Sequence, residues 1–273
     1  IDERPGTKAD CLWDGQKLYV ASQTFTESSG TTNDDDAARL YRYSYNAATK
    51  SYSLDGGFPV QINNSESEAL VLDKDSTGKL WITWMQDGEV WINRSLGNDL
   101  SWGSPFQLPA QSTSAANDDI SSIVAFDDDK IGVMWSDQVD AKIYFAVHED
   151  GDPDLSWQPR ETALQDAQLA DAADDHVNLK TACDNNGNVY AVTKSSHAGN
   201  DDPRIYVLKR NSNGAWSNTV FSTRQHKHTR PIMVIDIENQ EMYVFAKESG
   251  NFGDAILYKK TGLNDLQFDD DEG

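Results

Sequence analysis

The chain has 273 residues, with 23 basic and 45 acidic side chains and a formal charge of −22. That balance argues against a nucleic-acid partner, which needs a basic face for phosphates. No apolar run approaches the roughly 18 residues of a membrane-spanning helix, so no membrane insertion is expected.

The chain opens on Ile1, without an initiator Met or a signal peptide. That reads as a processed product or a part of something longer. Five copies of one pattern follow: a polar turn, an apolar–aromatic pair, then more apolar residues. In chain order they are DGQKLYVAS from Asp14, DSTGKLWITW from Asp75, DDDKIGVMWS from Asp127, DNNGNVYAVT from Asp184 and ENQEMYVFAK from Glu238. Their anchors are Leu18, Leu80, Ile131, Val189 and Met242, a period of about 55 residues.

Each copy has three companions. Upstream lies an apolar strand: ADCLW, EALVL, SSIVAF, LKTAC or PIMVI. Downstream lies an aromatic strand: RLYRYSY, EVWINRS, KIYFAVH, RIYVLKR or ILYKK. A fourth strand then carries Trp102, Trp157, Trp216 or Phe268, its place in the first copy being taken by YSLDGGFPV. The alternation of Tyr41, Tyr43 and Tyr45 has the two-residue period of a strand. Gly, Asn and Asp turns supply the positive φ that tight hairpins need. Four-stranded units at this period predict an all-β fold, a β-propeller with five visible antiparallel blades. The blades span approximately 8–64, 65–116, 117–170, 171–225 and 226–273. A larger six- or seven-bladed ring, of which this is a segment, is the alternative.

The turns RNSNGAW (Arg210 to Trp216) and HEDGDPDLSW (His148 to Trp157) resemble worn copies of the Asp box, Ser-x-Asp-x-Gly-x-x-Trp, of sialidase-like propellers. DERPGTKADCLWDGQKLYVAS and DDHVNLK are similar to stretches of secreted bacterial propeller domains of no clear function. The resemblance implies the fold and an extracellular or cell-surface setting. It implies no sialidase activity, because the three-arginine carboxylate clamp of that family has no counterpart beyond Arg230.

In a propeller the start of each first strand and the end of each second strand share one mouth of the channel. The positions predicted there include Lys8, Asp10, Glu68, Asp119, Asp137, Asp175, Lys194, His197 and Lys247, with His176, Asn178, His228 and Arg230. His176 aligns with His228 and Asn178 with Arg230, so cationic character gathers in two adjacent blades. Such a cluster suits an acidic sugar: Arg gives a planar fork for a carboxylate and Lys a point charge. It also suits β-elimination on a uronate polysaccharide, with Arg230 and Asn178 as neutralisers and His176 or His228 as base. Hydrolysis by Asp10, Glu68 and Asp119 is a third reading. Alternatively, the same polar groups simply tie blade to blade.

Acidic turns containing Asp73 and Asp75, and Asp150, Asp152 and Asp154, are candidate calcium ligands, as are those at 34–36 and 127–129. A zinc site from His176, His197 and His228 lacks close ligand spacing. Cys11 and Cys183 read as small buried hydrophobes, unpaired because they lie in equivalent strands of different units. The expected function is an extracellular glycan-recognising propeller, acting on an anionic polysaccharide by elimination. The alternative is a non-catalytic scaffold or surface module, in a homo-oligomer or beside other domains.

Overall fold

The computed structural model describes residues 2–4, 6–24, 37–166, 168–169, 171–181, 187–249 and 255–273, with Lys180 and Thr181 described in backbone only. The acidic turn at 34–36, Cys183 and the Lys180 side chain lie outside the described residues.

Five antiparallel sheets follow in chain order. Blade 1 is β1 (Thr7–Trp13), β2 (Lys17–Thr24), β3 (Arg39–Asn46) and β4 (Ser51–Leu54), with β5 (Val60–Gln61) pairing back onto β3. Blade 2 is β6 (Glu68–Lys74), β7 (Leu80–Gln86), β8 (Glu89–Arg94) and β9 (Phe106–Gln107). Blade 3 is β10 (Ser121–Phe126), β11 (Lys130–Asp137), β12 (Lys142–Glu149) and β13 (Glu161–Leu164). Blade 4 is β14 (Val177–Thr181), β15 (Val189–Lys194), β16 (Pro203–Arg210) and β17 (Trp216–Thr223). Blade 5 is β18 (His228–Asp236), β19 (Glu241–Glu248) and β20 (Ile256–Gly262), with a single bridge from Gly262 to Asp265 in the fourth place. The molecule is a five-bladed β-propeller, as the repeat predicts.

The repeat anchors fall in the second strand of each sheet, and Leu80, Ile131, Val189 and Met242 are wholly buried. β7, β11 and β15 are buried on both sides because both faces meet a neighbouring blade. Four hydrophobic clusters fill the junctions. Tyr19 and Leu40 of blade 1 pack with Leu72 and Trp84 of blade 2. Trp81 and Ile92 of blade 2 pack with Ile131 and Trp135 of blade 3. Phe145 of blade 3 meets Leu179 and Leu208 of blade 4. Val192 and Phe221 of blade 4 meet Met233 and Val244 of blade 5.

Side chains of the innermost strands latch consecutive blades. Asp10 accepts from the Leu72 N–H at 3.1 Å, Asp73 from Ala125 at 2.7 Å, and Asn178 from Met233 at 3.1 Å. Asn178→Ala strands the Met233 amide at a packed junction, which costs about 1–3 kcal/mol. Urea unfolding monitored by tryptophan fluorescence checks this; an unchanged midpoint would mean that the latch contributes nothing.

Among the described residues no such cluster or latch joins blade 5 to blade 1. Register places Ile232, Phe245 and Tyr258 on one side of blade 5, and Trp13, Leu18, Tyr43 and Leu54 on one side of blade 1. On these two faces Trp13, Tyr45, Tyr52, Leu54, Ile232, Val234, Ile256 and Tyr258 are 45–74% exposed. Cys11, expected to be buried, is exposed on the same side of blade 1. Its strand lacks a neighbouring blade on that side, which sequence periodicity alone does not show.

Candidate functional site

The first strands of all five blades converge on a cavity of about 430 Å³ at one end of the channel. Lys8, Glu68, Ile120, His176 and Arg230 give one lining residue per blade, joined by Asp175, Asn178 and Ile232. Six of the predicted mouth positions are therefore brought together: Lys8, Glu68, Asp175, His176, Asn178 and Arg230.

Two β-bulges shape the rim. Pairing slips between Glu68 and Val71 in blade 2, and between Thr229 and Ile232 in blade 5. Ala69 and Arg230 sit within them at φ +51° and +50°. A left-handed conformation at non-glycine residues is strained, and bulges re-aim side chains beside functional sites.

The DDH stretch, just before β14, is an ionic network. Lys194 Nζ lies 2.6 Å from Asp174 Oδ1 and 3.3 Å from Asp175 Oδ1. Asp174 also accepts from Ser196 Oγ at 2.7 Å and the Asp175 N–H at 2.8 Å. His176 Nδ1 lies 2.5 Å from Asp175 Oδ1 and 3.6 Å from Asp174 Oδ1. Burial works against the Asp174 charge, but hydrogen bonds from His176, Asp175, Lys194 and Ser196 outweigh it and hold the carboxyl far below the usual range. Burial likewise opposes charge on His176, yet Asp174 and Asp175 raise it above its ordinary 6.5. Both contacts engage Nδ1, so Nε2 is the nitrogen left to act at the mouth. Asp174, Asp175 and His176 are also the single group of three metal-type ligands among the described residues, but Lys194 already supplies a positive charge there.

Several predicted positions go elsewhere. Lys194 is buried behind the mouth, committed to Asp174. His197 is buried with Nε2 3.2 Å from Tyr206 Oη. His228 is wholly buried, stacked on His226 at 5.8 Å and against Phe221 at 5.7 Å, so it is no base for a ligand. The three histidines do not meet as a zinc site. Asp119 and Asp137 are wholly buried and line no part of the cavity, and Asp10 latches Leu72. Asp10, Glu68 and Asp119 therefore do not flank a common bond. Lys247 lies in β19, on the blade 5 face turned toward blade 1.

The acidic turns are engaged by hydrogen bonds. Asp73 holds Ala125, and buried Asp75 takes the Trp81 indole N–H at 2.8 Å. Asp150 accepts from Ser76, Asp154 pairs with Lys79 and Arg94, and Asp152 is exposed on its turn. The five do not gather as a ligand group among the described residues. Sequence reasoning passed over Asp174 as the anchor of the network, the bulge at Ala69, and Ile232 at the rim.

No family model matches the chain, and neither does any curated protein. Solved structures do match in fold. The NanB sialidase of Streptococcus pneumoniae superposes at TM-score 0.56 with 11% identity, over 90% of this chain and 40% of that one. A GH62 hydrolase solved with xylotriose superposes at 0.55 with 12% identity, over 95% of this chain and 92% of that one. AofleA from Arthrobotrys oligospora superposes at 0.56 with 10% identity, over 95% and 75%. The chain thus shares the β-propeller fold of these structures, and it spans less than half the length of NanB.

Proposed function

We propose that this is an extracellular glycan-recognising propeller that holds an acidic sugar residue in the mouth cavity. The observation that carries the reading is the cavity itself. Its volume suits a small ligand, and Lys8, Arg230, His176, Asn178 and Glu68 line it together. Support for a carbohydrate ligand in general comes from the neighbours, which include a sialidase and a hydrolase bound to xylotriose.

In the catalytic form of this reading, Arg230 and Asn178 neutralise a uronate carboxylate. His176 Nε2 takes the proton at C5. The C5–H electron pair becomes the C4–C5 double bond, the C4–O bond breaks, and the leaving oxygen takes a proton from water. His176 acts as base only when neutral, and its pKa is raised. The rate therefore climbs as pH rises through the folded-state value.

The test follows absorbance of new double bonds with polygalacturonate, alginate and hyaluronate, with binding measured in parallel. Expected is absorbance that falls about 100-fold or more in His176→Ala and Arg230→Ala. Binding without absorbance, lost in both variants, reduces the site to a lectin. Neither signal removes the glycan reading.

A scaffold role is the second reading, favoured by the apolar faces of blades 1 and 5. Patches of this kind mark interaction surfaces. Sedimentation velocity should then show concentration-dependent association that Ile256→Lys with Tyr258→Lys suppresses. A monomer at all concentrations counts against it.

A further inference from the structure

The geometry of blade 3 points to a buried cation site between Asp119 and Asp137, of the hard, oxygen-ligated class that calcium fills. The β10–β11 register of Ser121 opposite Trp135 continues through Ile120 and Ser136, whose main chains are bonded at 3.1 Å. One further step sets Asp119 opposite Asp137. Both residues are 0% exposed. Like charges placed directly across strands repel, and a lone buried carboxylate is among the most costly groups to leave uncompensated.

Each carboxylate is half satisfied in the same way. Asp119 Oδ2 accepts from the Ala116 N–H at 2.8 Å and the Gln138 N–H at 3.0 Å, and the Ser136 and Gln138 side chains lie close enough to favour its charge, while its Oδ1 is buried without a well-formed hydrogen bond. Asp137 Oδ1 accepts from the Asp140 N–H at 2.8 Å, while its Oδ2 is buried without a partner. No Lys, Arg or His forms an ion pair with either among the described residues. Arg160, the nearby cation, acts on Asp137 only through space: it lies 3.7 Å from Asp140, stacks over Tyr144 at 4.0 Å, and keeps a buried Nη1 without a hydrogen-bond partner.

Arg160 offsets part of the charge on Asp137 from a distance; a shared proton or a bound cation would offset the rest. Three main-chain N–H donors already stabilise the ionised forms, which favours a cation. The unpartnered donor atoms are all oxygen, which selects calcium over zinc. Burial pushes both carboxyls up, and for Asp137 the charges of Asp140 and Asp119 add to it. The site is separate from the acidic surface turns. It would fasten the loop carrying Ile120, a lining residue of the mouth, to β11.

The test measures calcium on the chain by plasma mass spectrometry after dialysis, and thermal unfolding in calcium chloride against EDTA. Expected is one calcium per chain and a midpoint raised by calcium. Asp119→Asn and Asp137→Asn should abolish the response, while Asp150→Asn, on a surface turn, keeps it. A response surviving in both buried variants, or lost in Asp150→Asn alone, overturns the site. So does wild-type protein without calcium and with equal midpoints in calcium and EDTA, which would assign the pair a shared proton. That wild-type measurement decides even where a variant does not fold. Sugar binding at the mouth is read separately with Arg230→Ala, so the two proposals fail independently.

Discussion

Asp174→Asn should destabilise the protein by about 3 kcal/mol or more, and it should also lower the pKa of His176. The carboxylate is the anchor of a partly enclosed network: Lys194 at 2.6 Å, Ser196 Oγ at 2.7 Å and Arg204 Nη1 at 4.0 Å converge on it. The Lys194 side chain is 9% exposed and that of Asp174 12%, so water screens the pair little. Removing one partner of a buried pair leaves the other desolvated, which is where most of the cost arises. Asp175, at 3.3 Å from Lys194, offsets part of it. The sign for His176 follows from the same charges. Its folded pKa is raised, so it adds stability below about pH 6.5, and that stability is lost as pH rises through the folded value. The variant should shed this contribution, flattening the high-pH side of the stability curve. Urea unfolding across pH, with the imidazole followed by NMR, checks both. A loss below about 1 kcal/mol with an unmoved His176 would show that Lys194 and His176 rest on Asp175 instead.

The fold was legible because five copies of one strand pattern cannot each bury a hydrophobic face alone. Leu80, Ile131, Val189 and Met242 recur at the period of a blade, and each lands in the second strand of its sheet. The site was legible in part for the same reason. Antiparallel pairing fixes which strand ends share the mouth, and so His176, Asn178, Arg230, Glu68 and Lys8 could be grouped. Depth could not be read this way. His228 aligns with His176, yet a bulge after Thr229 shifts the register of β18, so Arg230 reaches the cavity and His228 stays inside. This bulge turns on Arg230 at φ +50°, with no glycine in the sequence to announce it. Asn93 and Asn63 show the same limit, polar side chains whose burial the sequence does not announce. The Asn93 amide donates to the Ile62 carbonyl at 2.7 Å.

His228→Phe should stabilise the protein in mild acid and remove the acid-side fall of its stability curve. The imidazole is wholly buried, and neither ring nitrogen makes a well-formed hydrogen bond, although the Glu272 main chain lies close enough to favour its charge in part. Burial first, then the charges of Lys259 and His226, hold its pKa below the ordinary 6.5. In the unfolded chain it takes a proton near pH 6.5, while the folded chain resists. Stability is therefore intact above that value and declines as pH falls toward the folded value. This slope is opposite to that of His176, so the two can be separated by substitution. Phenylalanine fills the ring site between Phe221 and His226 without a group that must be charged or bonded. The gain should be near zero at pH 8 and grow as pH falls below about 6.5. The acidic tail should report the same event, because Asp270 lies 2.9 Å from His226 and Asp271 3.2 Å from Lys259. Protonating His228 adds positive charge beside Lys259 within a packed junction. Thermal unfolding at pH 5 and pH 8, with hydrogen exchange across 263–273, is the measurement. Equal midpoints for wild type and variant at pH 5 would mean that the buried imidazole has found a partner in its charged form, and that the tail is not tied to its protonation.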